Sequence, residues 1–162
     1  AALKDKYPQA QLAIIGAGRE QQNLQAEIDQ LGLNGRAHLL GFKENALQYV
    51  RAFDIWAMPS MAEGLGLALL EGMRGRLPVI PSSVPAILPL IQGAGGLAVE
   101  PGNVAQLTTA LDSYLALDEQ SLRAKGEQTY QYLQNNHDID VFRQQYLDLI
   151  ESGLAKANKE PA

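Results

Sequence analysis

The sequence has 162 residues, 46% of them hydrophobic, which fits one domain with a sizeable buried core. Its formal net charge of −5 argues against nucleic acid or an anionic membrane surface as the main partner. The chain has no cysteine, which excludes disulfides and cysteine metal sites and fits a cytoplasmic protein.

The first two thirds of the chain alternate short apolar runs with stretches of helical periodicity. Strands are predicted over residues 11–16, 36–42, 54–60, 77–82 and 95–101. Helices are predicted over residues 19–33, 44–53, 64–75 and 85–92. Because the strands are apolar on both faces and separated by helices, the pattern predicts a parallel sheet covered on both sides. This is the doubly wound α/β class.

From Asn103 onward the pattern is helical only. Three helices are predicted over residues 103–117, 119–135 and 139–153, and the tail 155–162 is expected to fray. We assign residues 103–162 to the same single domain as the sheet. The aromatic residues Trp56, Tyr130 and Phe142 are expected to serve packing.

The opening segment, "AALKDKYPQ", has the pattern of the last turns of a helix that ends before Pro8. A helix of a doubly wound fold normally follows a strand, and no strand precedes this one. We therefore expect the chain to be a piece of a longer protein.

Ligands of doubly wound folds bind outside the carboxyl ends of the strands, which directs attention to three loops. The first, "GAGRE", contains Gly16 and Gly18. A dinucleotide fingerprint would need a third glycine where Gln21 stands, so a tight turn is favoured over a dehydrogenase site. The backbone there can still approach a phosphate, with Arg19 beside it. The second loop is "GFKEN", residues 41–45.

The third loop lies in "PSMAEGLGLALLEGM", residues 59–73. Gly64 and Gly66 remove side chains where a helix begins, so its first N–H groups are accessible to an anion. Glu63 and Glu71 are hydrogen-bond acceptors, suited to the hydroxyl groups of a sugar or a ribose. Two interpretations stay open at this point: a nucleotide-sugar site, or a capping Glu63 with a solvent-facing Glu71. Leu65, Leu69 and Met73 are expected to share one face of the helix.

The two glutamates, with seven residues between them, resemble the E-x7-E motif of retaining GT-B glycosyltransferases, especially glycosyltransferase family 4. The resemblance runs from about Gln11 to the last helix and includes "AIIGAG", "FDIWAMPSMAEGLGLALLE" and "GGLAVEPGN". It implies the Rossmann-like, C-terminal, donor-binding half of a GT-B enzyme, without the first strand of that half.

The resemblance also implies roles for individual residues. Glu63 would contact hydroxyls of the donor sugar, as the residue assigned to catalysis, and Glu71 would contact the ribose. Backbone N–H groups of Gly64, Leu65, Gly66 and Leu67 would meet the diphosphate and the sugar, and main chain around Phe42 and Lys43 would line the base. From the first loop, apart from the resemblance, Gly16, Gly18 and Arg19 are also expected to bind the donor. Neither a metal nor a tightly bound cofactor is expected. The donor would be a UDP- or GDP-sugar whose hexose passes, with retention, to a glycan or lipid-linked acceptor.

The chain departs from the family pattern in several places. In the family, an Arg and a Lys hold the diphosphate, and a separate N-terminal domain binds the acceptor; both would precede Ala1. The isolated chain is therefore expected to be inactive. Arg74 and Arg76 stand where relatives usually carry Ala and Gly, and Pro89 stands where Glu is common.

The missing strand would be a central one, between residues 11–16 and 54–60. We expect those segments to pair directly, or to accept a strand from another copy or another part of the parent protein. Self-association is one consequence. Because no membrane-spanning run is present, we expect a cytoplasmic enzyme, at the inner membrane face in its full-length form, acting in polysaccharide or lipopolysaccharide synthesis. The alternative function is a non-catalytic nucleotide-binding module that serves assembly or regulation.

Overall fold

The computed structural model describes residues 1–157. Strands and helices alternate through its first two thirds and are followed by three helices, as the sequence predicts. In chain order the elements are β1 (Leu12–Ile15), α1 (Gln21–Gln30), β2 (Ala37–Gly41), α2 (Leu47–Val50), β3 (Trp56–Met58), α3 (Leu67–Arg74), β4 (Val79–Pro81), α4 (Leu88–Ala94), α5 (Val104–Leu115), α6 (Glu119–His137) and α7 (Ile139–Ala157). The tail prediction extends beyond the described residues.

All pairings between the strands are parallel, which confirms the α/β class. β1 pairs with β2, and β3 pairs with β4, in two separate two-stranded sheets. The predicted strand at 95–101 is reduced to one parallel bridge between Ser82 and Val99. Within residues 1–157, β1 and β3 form no ladder with each other, so the expected direct pairing is wrong. Pairing with a strand from another copy or another part of the protein stays a prediction.

The N-terminal segment forms hydrogen-bonded turns at residues 2–6 that end before Pro8, with a helical bond from the N–H of Tyr7 to the carbonyl of Leu3, but it does not form a complete helix. Arg36 holds this segment, donating to the carbonyl oxygens of Lys4 at 2.8 Å and Tyr7 at 2.7 Å. Lys6 and Tyr7 in turn donate to the carboxylate of Asp112, at 2.6 and 2.7 Å, and so tie the segment to α5.

The core is concentrated around β3, β4, α3, α4 and α6. Its centre is formed by fully buried side chains such as Leu69, Val79 and Ile91. Gly72 lets α3 lie against the indole of Trp56, which a side chain at that position would overlap. Helix α3 is therefore seated directly on this core.

Helix α7 carries a row of exposed apolar side chains, of which Phe142 is 61% exposed. The expectation that Phe142 packs is therefore wrong within the described residues. Trp56, by contrast, packs against the core as expected. No helix within residues 1–157 combines the length and the apolar character needed to cross a membrane.

Candidate functional site

The loop that joins β3 to α3 is fixed at both of its ends. At the start, the carbonyl oxygen of Met58 accepts from the backbone N–H of Ser60 at 2.9 Å and of Ser82 at 3.1 Å. At the end, Gly66 is buried with φ +68°, a left-handed conformation that favours glycine. A Cβ at Gly66 would also lie 2.8 Å from Cγ2 of Ile87. Both constraints place the first helical residue at Leu67.

Within residues 1–157, the N-terminus of α3 presents backbone donors that have no hydrogen-bond partner. Leu69 and Leu70 already donate to the Gly66 carbonyl at 2.9 and 3.2 Å, whereas the N–H groups of Leu67 and Ala68 precede any intrahelical acceptor. Gly66 offers no capping side chain, and the first turn contains no acidic residue. The positive end of the helix dipole is therefore open to an anion.

Gly64 lies in the middle of this loop and borders open space. A Cβ built on Gly64 would meet no atom within 4 Å, and no positive φ constrains the residue. Packing therefore gives no reason for glycine at this position, in contrast to Gly66.

Glu63 and Glu71 occupy different parts of the site, and both are half-buried. Oε1 of Glu63 accepts a hydrogen bond from Oγ of Ser60 at 2.7 Å. Within residues 1–157 the Glu63 carboxylate accepts this bond and none from an N–H group of α3, so Glu63 does not act as the cap of this helix. Among residues 1–157, the Glu71 carboxylate has no hydrogen bond or ion pair with another side chain.

The structure changes the spacing inferred for this helix. Because α3 begins at Leu67 rather than at Gly64, Glu71 lies one turn inside the helix instead of two. Leu65 precedes the helix and is 71% exposed, so the expectation that it shares a face with Leu69 and Met73 is wrong.

The loops after β1 and β2 lie side by side. Gly16, with φ +140°, donates its N–H to the Gly41 carbonyl at 2.9 Å. Next to this contact is an open depression of about 780 Å³. Its lining is mainly polar and consists of Gly18, Arg19, Gln21, Gln22, Gln25 and Leu39. Gln21, which stands where the fingerprint would have its third glycine, is the first residue of α1.

Phe42 and Lys43 follow β2 directly. The Phe42 side chain is 74% exposed, while Lys43 is half-buried. Packing in the protein core does not account for an aromatic side chain that is this exposed. Phe42 and the loop at residues 16–20 both lie at the carboxyl edge of the β1–β2 sheet.

Arg76, one of the two departures near the end of α3, docks on α6. Its backbone has φ +62°, in the left-handed region that favours glycine. Its guanidinium lies 2.9 Å from Oε2 of Glu127 and 4.2 Å from the ring centre of Tyr130. Pro89, the third departure, is the second residue of α4, where proline is tolerated.

The sequence reasoning did not assign a role to Ser60, although it lies within the quoted motif. The signal that could have found it is the spacing Ser-x-x-Glu in a loop, which allows a side-chain hydrogen bond across three residues. In the described part of the chain, no three His, Asp or Glu side chains are grouped so that they could hold a metal ion.

Comparison with known proteins gives one family. A match to "Glycosyl transferases group 1" covers residues 1–132. The lipopolysaccharide core biosynthesis glycosyltransferase LpsE of Rhizobium meliloti (strain 1021) is 27% identical over 150 residues, 91% of this chain and 43% of LpsE. The O-antigen biosynthesis glycosyltransferase WbnH of Escherichia coli is 30% identical over 124 residues, 75% of this chain and 36% of WbnH. The chain thus spans less than half the length of these relatives.

Solved structures show the same fold. HepE of Anabaena, crystallised in complex with UDP, matches with a TM-score of 0.80 and 25% identity, over 90% of this chain and 42% of HepE. The C-terminal domain of the group 1 family protein LpcC from Francisella tularensis matches with a TM-score of 0.74 and 27% identity. That match covers 85% of this chain and 75% of the LpcC domain.

Proposed function

Because the chain belongs to the group 1 glycosyl transferases, we propose that it binds the nucleotide-sugar donor of a retaining glycosyltransferase of family 4. The observation that carries this proposal is the loop between β3 and α3. There the unpaired N–H groups of α3, the open space at Gly64 and the carboxylate of Glu63 occur within a few residues. The donor would be a UDP- or GDP-sugar, and UDP is the ligand named for the related HepE structure.

The diphosphate would lie against the backbone from Gly64 to Leu67. A helix N-terminus with free N–H groups favours an anion through both hydrogen bonding and the helix dipole. Those donors would also stabilise the negative charge that develops on the diphosphate as it leaves the sugar.

The two carboxylates would bind the hydroxyl groups on either side of the diphosphate. Glu63, in the loop, would accept hydrogen bonds from the donor sugar, and Glu71, one turn into α3, would accept them from the ribose. The backbone at Phe42 and Lys43 would border the base. The first loop, with Gly16, Gly18 and Arg19, would approach the nucleotide from the neighbouring sheet.

The complete reaction would transfer a hexose to a glycan or lipid-linked acceptor with retention of configuration. The diphosphate leaving group would help to activate the acceptor on the same face of the sugar. The acceptor would be held by another part of the full-length enzyme, because proximity supplies a large share of the rate of such a transfer. This chain alone is expected to bind donor without transferring it. The two lipopolysaccharide and O-antigen relatives support a role in cell-surface polysaccharide synthesis.

Calorimetric titration with UDP, GDP and their sugars tests this function. Glu71→Gln keeps the shape but removes charge-assisted bonds, so affinity for nucleotide and nucleotide sugar should fall roughly ten- to a hundredfold. Glu63→Gln should weaken only the nucleotide sugar. Glu151→Gln, an exposed glutamate on α7, is the matched control. If both site variants bind like the wild type and fold normally, the proposed function is wrong.

A further inference from the structure

A run of hydrogen bonds connects the sheet to the carboxylate of Glu63 through one residue. The Met58 carbonyl, at the end of β3, accepts from Ser82 just after β4 at 3.1 Å and from the Ser60 backbone at 2.9 Å. The Ser60 side chain continues the run, because its Oγ lies 2.7 Å from Oε1 of Glu63. Ser82 is fully buried and Met58 nearly so, which makes this end of the run rigid.

We propose that Ser60 is a positioning residue of the donor site, which holds Oε1 of Glu63 and leaves Oε2 for the hydroxyl groups of the donor sugar. This inference rests on the proposed function and assigns it one further residue. Ser60 acts through Glu63 and makes no contact of its own with the sugar.

The direction of the bond follows from the chemistry of its two groups. An ionised carboxylate only accepts hydrogen bonds, so the serine hydroxyl must be the donor. Its length of 2.7 Å fits a charge-assisted O–H to carboxylate bond. Oε2 has no side-chain partner among residues 1–157 and keeps its capacity to accept.

The loop around Glu63 offers few other restraints. Met61, Ala62, Gly64 and Leu65 are all exposed, so packing fixes this stretch weakly. A free glutamate side chain loses rotamer entropy when a ligand orders it, and a carboxylate that is already held loses less. Ser60 therefore improves the affinity of the sugar without contacting it.

The test measures binding by calorimetry in the full-length native protein, with UDP, GDP, UDP-glucose and GDP-mannose as probes. Ser60→Ala should weaken the preferred nucleotide sugar about three- to tenfold by removing preorganisation, and leave the bare nucleotide unchanged. Ser60→Thr keeps the hydroxyl and should restore the affinity. In the Glu63→Ala background, Ser60→Ala should have no further effect on the sugar, as expected for two residues that act as one unit.

Three results would overturn the positioning role. They are equal losses for nucleotide and nucleotide sugar, additive losses in the cycle with Glu63→Ala, and a Ser60→Ala variant that binds sugar like the wild type. Thermal unfolding controls for the fold, and Ser60→Cys, a weaker donor of similar size, replaces Ser60→Ala if alanine lowers the unfolding midpoint. If Glu63→Gln alone binds the sugar normally, the positioning role of Ser60 is overturned as well; if Glu71→Gln also binds like the wild type, the proposed function itself fails.

Discussion

The loop after β3 and the loop after β1 both join a parallel strand to a helix, but they rest on different amounts of core. Helix α3 buries Leu69, Gly72 and Met73, whereas α1 buries only Ile28. Every residue of β4 is buried, and no residue of β1 is. The geometry of the site at α3 is therefore held by packing within this chain, while the loop at 16–20 is held by the hydrogen bond from Gly16 to Gly41 and by the turn from Gly18 to Gln21.

This difference teaches where a binding site gains its precision. A residue that contacts a ligand is placed only as precisely as the side chains and backbone that support it. Helix α3 is held closely at two points, where Gly66 packs on Ile87 and Gly72 packs on Trp56 with no room for a Cβ. Gly16 and Gly18 meet nothing comparable, since a Cβ at either would find no atom within 4 Å.

The largest expected effect tests the packing difference itself. Leu69→Ala, at a fully buried site, should lower the free energy of unfolding by about 2–5 kcal/mol through lost burial and a cavity. The matched variant Leu12→Ala, on β1 where the side chain is 51% exposed, should cost about 1 kcal/mol or less. Urea unfolding of both variants measures this. Equal losses would show that the two halves are packed alike.

A smaller effect separates binding from folding. Gly64→Ala puts a methyl group into space that the protein leaves empty, so unfolding should be unchanged within about 0.5 kcal/mol. Nucleotide-sugar affinity should nevertheless fall about tenfold, equivalent to about 1.4 kcal/mol, because the methyl occupies the place proposed for the diphosphate. Gly18→Ala, also in open space, should reduce affinity less. A stronger effect at Gly18 than at Gly64 would move the site to the first loop.

The smallest effect concerns the exposed tie between the N-terminal turns and α5. Hydrogen bonds from Lys6 and Tyr7 lower the pKa of the Asp112 carboxyl below its ordinary value. A depressed native pKa means that the stabilisation is present above the unfolded pKa of Asp and is lost as the pH falls through the native one. Likewise, the hydrogen bond to Asp112 raises the pKa of Lys6, and that contribution is lost only at strongly alkaline pH.

The unfolding midpoint of Asp112→Asn should therefore lie slightly below that of the wild type at neutral pH. The two midpoints should converge in acid, as Asp112 of the wild type becomes protonated. Asp5→Asn, a neighbouring exposed aspartate, is the control and should not reproduce the convergence. A constant difference from pH 7 to pH 2.5 would contradict the assigned cause.

Much of the fold was predictable from local pattern. Each predicted strand and helix between residues 11 and 94 is present, although every one is shorter than predicted, because the ends of elements depend on caps and contacts. The motif with Glu63 and Glu71 was also visible in the sequence. The distance of Glu71 from the start of the helix was not, because the start of α3 is decided by the left-handed Gly66 packed on Ile87.

Other features depended on residues far apart in the sequence. Arg76 gave no local sign that it binds Glu127, which lies 51 positions away. Phe142 has the periodicity of a packed residue, yet within residues 1–157 no segment covers its side chain, which stays exposed. The turns at residues 2–6 are held by Arg36 and Asp112, neither of which a local pattern can identify.

The sequence by itself determined the α/β class, the three loops at the carboxyl ends of the strands, and the pair of glutamates in one of them. These follow from periodicity and from residue chemistry, which are local properties of the chain. Only the tertiary structure decided which loop rests on a packed core, which glycine borders open space, and that Ser60 connects Glu63 to the sheet. Those facts arise from distances between segments that periodicity does not encode, because burial and hydrogen bonding are properties of the folded arrangement.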